Sequence, residues 1–231
     1  MPLFQNATYA ASVAKPQDPY PRAGAEIAFA GRSNAGKSSA INTLAGRRRL
    51  AFVSKTPGRT QMINFFSLGH DRFVVDLPGY GFASAPEAVR SQWDRLLGTY
   101  LKHRDALKGI ALVMDIRHPF TERDLQLIRY FGQTGKPVHV LLTKADKLSQ
   151  AQAVAVLREA QARLNEISPR HSVQLFSSLK RRGVEDAEAV FSRWLGIAPA
   201  QPGKLRIDTR PRTTETRSPG PTNKKPRARG G

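Results

Sequence analysis

Gly31-Arg32-Ser33-Asn34-Ala35-Gly36-Lys37-Ser38 sets two glycines, a lysine and a hydroxyl at the spacing G-x-x-x-x-G-K-[ST]. Backbone N–H groups of such a loop can wrap phosphate oxygens, and a helix starting at its end adds the positive end of its dipole. Lys37 can reach the β- and γ-phosphates of a nucleotide, and Ser38 can ligate Mg²⁺. The chemistry requires a strand before the loop and a helix after it. Residues 26–30 (EIAFA) read as that strand and residues 37–45 as that helix.

A second cluster, Thr143-Lys144-Ala145-Asp146, follows the apolar run 137–142 (PVHVLL), at the strand end where an α/β sheet presents its ligand sites. The Asp146 carboxylate can accept from the N1–H and the exocyclic amine of guanine, a donor pair that adenine lacks. The aliphatic stem of Lys144 can lie along the base. Asp76-Leu77-Pro78-Gly79 follows Phe73-Val74-Val75 at another strand end. Asp76 is placed to orient Mg²⁺ through water, and the Gly79 N–H to sense a γ-phosphate with no side chain in the way. Alone, D-x-P-G is a β-turn, and only its neighbours favour the chemical reading.

In Thr56-Pro57-Gly58-Arg59-Thr60-Gln61 a threonine can close over the metal. Thr60 is favoured, because Thr56 precedes a proline and is held extended. The expected metal ligands are thus Ser38 and Thr60. Gly58, Arg59, Gln61 and Met62 complete that side of the candidate nucleotide site. Backbone N–H groups of Phe176-Ser177-Ser178 can meet the guanine O6, though paired serines in a loop are ordinary. Lys37, Thr60 and Asn34 are the residues expected to act on the transferred phosphate.

These positions need a scaffold that brings distant loops to one edge. Further apolar runs at 64–68, 72–75, 109–114 and 172–176 read as strands, the first two paired across Gly69-His70-Asp71. Helical spacing covers 88–103, 121–131, 149–165 and 184–195. The alternation predicts an α/β fold: a mostly parallel six-stranded sheet with helices on both faces. Trp93 and Tyr100, seven apart in a helical pattern, read as core.

The chain's 231 residues are 40 % hydrophobic, enough for one globular domain and against wholesale disorder. Thirty-seven Lys and Arg against 18 Asp and Glu leave a net charge of +19, which favours a polyanionic partner. Without cysteine there is no disulfide scaffold, thiolate metal site or cysteine nucleophile. The five histidines show no ligand spacing. No run reaches the ~18–20 apolar residues of a membrane span, and the first residues do not read as a secretory signal; a cytoplasmic location is expected. Residues 1–23 read as an extended arm and 24–198 as the domain. Residues 199–231 read as a disordered basic tail, with nine Lys/Arg against Asp208 and Glu215, six prolines and no aromatic residue. Arg47-Arg48-Arg49 reads as a solvated face or a grip on RNA phosphate.

In this order the pieces resemble a Ras-like P-loop GTPase domain of the TRAFAC class over residues 24–196. The combination G-R-S-N-A-G-K-S, G-R-T-Q, D-L-P-G-Y-G-F and T-K-A-D is similar to the EngB (YihA/YsxC) family. The resemblance implies a GTPase that binds GTP and GDP with Mg²⁺ and acts, as a monomer, on the large ribosomal subunit or its precursor, with a link to cell division and septation. Thr143 matches that family's base motif. Tyr80 stands where Ras-like enzymes carry a water-orienting glutamine, so slow hydrolysis is expected. Related GTPases with asparagine at the Asn34 position hold K⁺ against the phosphates; the alternative is that Asn34 suits the turn. Two other readings remain open: a P-loop ATPase or nucleotide kinase, against which Asp146 argues, and a basic RNA-binding module with a structural nucleotide.

Overall fold

Strands covered on both faces read as unbroken apolar runs; five of the six runs in this sequence become inner strands of one sheet, and the run at 172–176 forms one of its edges. The computed structural model describes residues 3–47, 50–51, 62–80 and 87–197, the side chains of 87–94 excepted. The description concerns the unit Met1–Ala200; the tail read at 199–231 lies outside the described residues. Its strands are β1 (Thr8–Val13), β2 (Ala25–Gly31), β3 (Ile63–Gly69), β4 (Arg72–Asp76), β5 (Leu107–Asp115), β6 (Val138–Thr143) and β7 (Ser172–Leu175). Its helices are α1 (Lys37–Leu44), α2 (Glu87–His103), α3 (Glu122–Gly132), α4 (Gln150–Ile167) and α5 (Val184–Trp194).

The sheet order is β1-β3-β4-β2-β5-β6-β7. The β1–β3 and β3–β4 pairs are antiparallel and the rest parallel. Successive residues of a strand alternate between faces. Ile27 and Phe29 of β2 join Ala111 and Val113 of β5 in one cluster with α1 and α5, through Ile41, Leu44, Ala187 and Phe191. Ala28 and Ala30 join Ile110, Leu112 and Met114 in the other, covered by α2, α3 and α4. Full burial of a large apolar side chain contributes about 1.5–3 kcal/mol, so these two layers anchor the loops at the strand ends. α1, which follows β2, packs on one face and α2, which leads into β5, on the other, and such a switch point at the carboxyl ends of the strands is where α/β sheets bind ligands.

The sheet has seven strands, one more than the sequence suggests. The extra one, β1, comes from the segment read as an arm and runs antiparallel beside β3, from Thr8 opposite Ser67 to Val13 opposite Ile63. Beyond it, Tyr20 stacks on Tyr100 at 6.0 Å, and Arg104 binds buried Glu26 while lying over the Tyr20 ring at 5.3 Å. Tyr100 is buried and donates to Glu26 at 2.9 Å; the Trp93 side chain lies outside the described residues. Among the described residues no helix is long and apolar enough to cross a membrane.

Candidate functional site

Gly31 ends β2 so close to β5 that a Cβ there would stand 2.8 Å from the Val113 carbonyl oxygen. The loop then turns through two left-handed residues, Asn34 at φ 63° and Gly36 at φ 96°. Asparagine tolerates that region better than most side chains, which supplies a turn reason for Asn34. Arg32, Ser33 and Asn34 are exposed on the loop, and the Ala35 N–H closes it on the Arg32 carbonyl at 3.1 Å. α1 starts at Lys37 with no side-chain cap on Gly36 and no acid in its first turn. Its leading N–H groups and its dipole are thereby suited to an anion.

Asp76 closes β4 beside Phe29 of β2 and forms an ion pair with Lys37. The pair is nearly enclosed, its side chains 11 % and 10 % exposed. The turn that follows stays alongside the end of β2: the Leu77 N–H donates to Phe29 at 3.0 Å and the Tyr80 N–H to Gly31 at 3.3 Å. Pro78 and Gly79 therefore lie next to the phosphate loop. Met62 precedes β3, whose Asn64 pairs with Asp76, and is 44 % exposed at the same sheet end. Gly58, Arg59, Thr60 and Gln61 lie outside the described residues, as do Arg48 and Arg49.

The base side is assembled from β6 and β7. The Thr143 hydroxyl donates to the Ala35 carbonyl at 2.5 Å and lies 2.9 Å from that of Met114, so it fastens the phosphate loop to the sheet. Lys144, at φ 57°, sends its ammonium to the Asn34 carbonyl at 2.8 Å and to Asp115 at 2.9 Å. Asp115 is a positioning residue absent from the sequence reading; an acid closing the apolar run of β5 is its one signal. Its hydrogen bonds from Arg117 and then Lys144 hold its carboxyl well below the usual carboxylate range. Ala145 and Phe176 join the two loops, N–H to carbonyl at 3.1 Å, and the Phe176 N–H returns to Leu142 at 2.8 Å. Ser177 is buried and donates to Asp146 Oδ1 at 2.5 Å, with Ser178 next to it. One sheet edge thus gathers residues 31–38, 76–79, 143–146 and 176–178.

This edge offers a lysine, a helix start and backbone donors for phosphates, and a fixed carboxylate for a base. Among the described residues no three His, Cys, Asp or Glu side chains group to hold a metal. Mg²⁺ needs no such cage: about one or two oxygen ligands from the protein, phosphate oxygens and water complete its shell. The hard oxygens of Asp76 and Ser38 beside Lys37 fit that ion.

Residues 26–144 match the family model described as 50S ribosome-binding GTPase. A curated relative from Methylobacillus flagellatus, a probable GTP-binding protein EngB, is 58 % identical over 195 residues, 84 % of this chain and 94 % of its own. Among solved structures, a probable GTP-binding protein EngB superposes with a TM-score of 0.60 at 23 % identity, covering 74 % of this chain and 99 % of its own. Era, solved in complex with MgGDPNP and nucleotides 1506–1542 of 16S ribosomal RNA, superposes at 0.59 with 20 % identity, covering 74 % of this chain and 56 % of its own.

Proposed function

The chain belongs to the EngB family of GTP-binding proteins, and on that premise we propose that it is a guanine-nucleotide switch in assembly of the large ribosomal subunit. It has the Ras-like P-loop GTPase fold, binds GTP and GDP, and hydrolyses GTP. The observation that carries the reading is the Ser177-fixed carboxylate of Asp146 on the same sheet edge as Lys37 and Asp76. Three considerations support a ribosomal partner: the description of the matching family model, the rRNA bound by Era, and a net charge of +19. We extend the role, following the family resemblance, to normal cell division and septation, for a monomer in the cytoplasm.

In this reading Ser38 and Thr60 hold Mg²⁺ and Asp76 orients its water. The ion, when bound, neutralises charge developing on the phosphate oxygens. Lys37 supplies a second positive charge, the 31–36 backbone wraps the phosphates, and Gly79 senses the γ-phosphate. Tyr80 cannot orient water as a glutamine does, so intrinsic hydrolysis is slow. The test is affinity for purified large subunits with GDP and with a non-hydrolysable GTP analogue. A switch must bind differently in the two states; equal affinities overturn it.

Two expectations belong to this reading. If Asn34 positions K⁺ against the phosphates, hydrolysis is faster in K⁺ than in Na⁺ and Asn34→Ala removes the difference. Equal wild-type rates in both salts return Asn34 to its turn. Deleting 199–231 leaves GDP affinity and hydrolysis almost unchanged but makes log affinity for subunits less steep in log salt. The slope falls by about 0.7–0.9 for each phosphate that the tail no longer neutralises, because its counterions then stay bound. An unchanged slope in a salt titration means that the tail does not touch RNA.

A further inference from the structure

Tyr80 directly follows Gly79, and its hydroxyl donates at 2.6 Å to Oδ1 of Asp124 on α3. Hydroxyl-to-carboxylate bonds of about 2.5–2.7 Å are the short, charge-assisted kind. Asp124 is itself only 1 % exposed. Its other oxygen, Oδ2, accepts from the Thr121 N–H at 2.8 Å and the Thr121 hydroxyl at 2.7 Å, within a capping box at the start of α3. Such a box needs one carboxylate oxygen. Here the second oxygen reaches a residue 44 positions earlier in the chain.

The backbone also holds Tyr80, in an isolated parallel bridge with Arg32. Its N–H meets the Gly31 carbonyl at 3.3 Å, beyond the usual span of about 2.7–3.2 Å. The other end of the turn is better held, Leu77 to Phe29 at 3.0 Å. The D-L-P-G turn is therefore held on its far side by a backbone bridge to the phosphate loop and, through the Tyr80 side chain, to α3. Burial and the neighbouring Asp124 charge push the Tyr80 phenol far above its ordinary pKa, so it remains a donor at any working pH.

We infer that Asp124 is a positioning residue of the switch: through Tyr80 it couples the D-L-P-G turn to the first turn of α3. The inference rests on reading Gly79 as the γ-phosphate sensor. Gly79 and Tyr80 share a peptide bond, so a displacement of one loads the hydrogen bond of the other. Asp124 is common to both contacts, so a change at Oδ1 reaches the Thr121 cap at Oδ2. A turn that can make or release this bond is the kind of bistable element a ligand can bias.

Tyr80→Phe keeps the ring and removes the hydroxyl. In the wild type, the dissociation constants for GDP and a non-hydrolysable GTP analogue differ, and amide exchange in the first turn of α3 depends on which is bound. In Tyr80→Phe the ratio of the two constants shifts by about fivefold or more, a typical coupling, and the nucleotide dependence of exchange is lost. Asp124→Asn does the same, and the double variant adds little, as expected for partners in one interaction. Thr121→Val weakens the cap but spares the Tyr80 contact, so it lowers Tm and shifts the ratio less than Tyr80→Phe does. If Asp124→Asn does not fold, Tyr80→Phe decides alone. An unchanged ratio and exchange pattern in Tyr80→Phe, beside a wild type that discriminates, overturns the coupling. An equal shift in Thr121→Val reduces it to helix stability and overturns it too. A wild type whose exchange in the first turn of α3 is the same with either nucleotide overturns the coupling, while the switch reading stands or falls on the subunit affinities.

Discussion

Lys37→Ala raises the dissociation constant for GDP by about 30-fold or more. Truncating one partner of an enclosed, hydrogen-bonded charge pair costs about 2–5 kcal/mol, and each 1.4 kcal/mol is about tenfold. The enclosure is visible: Lys37 is 11 % exposed in its side chain and opens α1 at the end of the phosphate loop. Arg32 is exposed on the loop, and the Lys144 ammonium is already engaged by Asp115 and the Asn34 carbonyl, so neither takes the place of Lys37. The substitution also leaves Asp76 without its ion-pair partner, and an unmatched enclosed polar group costs about 1–3 kcal/mol. Tm should therefore fall, but the protein stays folded, because neither residue belongs to the apolar clusters on the sheet faces. Calorimetric titration with GDP at 25 °C, beside circular dichroism, separates the two effects. Unchanged affinity removes the phosphate-loop assignment; loss of the folded signal assigns Lys37 to stability instead.

The parts of this site that are legible in the sequence are those written into a single loop. Each phosphate-loop residue sits where its strand, turn and helix place it, and the helix read over 37–45 is α1, Lys37–Leu44. What joins one loop to another is not legible. Lys144 reads in sequence as a base-stacking stem, yet its ammonium is fixed by Asp115 and the Asn34 carbonyl, from two other loops. Thr143 reads as part of the base motif, and its hydroxyl turns instead to the carbonyls of Ala35 and Met114. Asp124 looks in sequence like any acid in a first helical turn, a common stabilising placement; only the fold buries it against Tyr80. β1 is hidden for a different reason. Its burial runs from three exposed residues through two intermediate ones to buried Val13, so it shows no alternation, and the open edge of β3 decides its pairing. The edge position demands no apolar pattern on both faces, and periodicity therefore has nothing to detect.

Asp146→Asn lowers GDP affinity by about 5- to 150-fold and raises affinity for XDP. The wild-type carboxylate only accepts, and guanine offers it two donors, N1–H and the exocyclic amine. Asparagine keeps one acceptor and introduces an N–H₂ group. Facing guanine, that group meets another donor, and a donor left unmatched in an enclosed site costs about 1–3 kcal/mol. Facing xanthine, it meets the C2 carbonyl, so the mismatch becomes a hydrogen bond. The geometry sharpens the expectation, because Asp146 is not free to turn away. Ser177 Oγ holds Oδ1 at 2.5 Å, and Ser177 is itself buried and tied to Arg182 through backbone bonds of 3.1 Å in both directions. A hydroxyl can donate or accept, so Ser177 can still hold the asparagine oxygen and leave the amide to face the base. Competition of GDP and XDP against a fluorescent guanine nucleotide measures the exchange of preference. GDP affinity retained with no gain for XDP means that Asp146 does not read the base. A loss for both nucleotides together means that Asp146 supports the loop, through Ser177, and the specificity lies elsewhere.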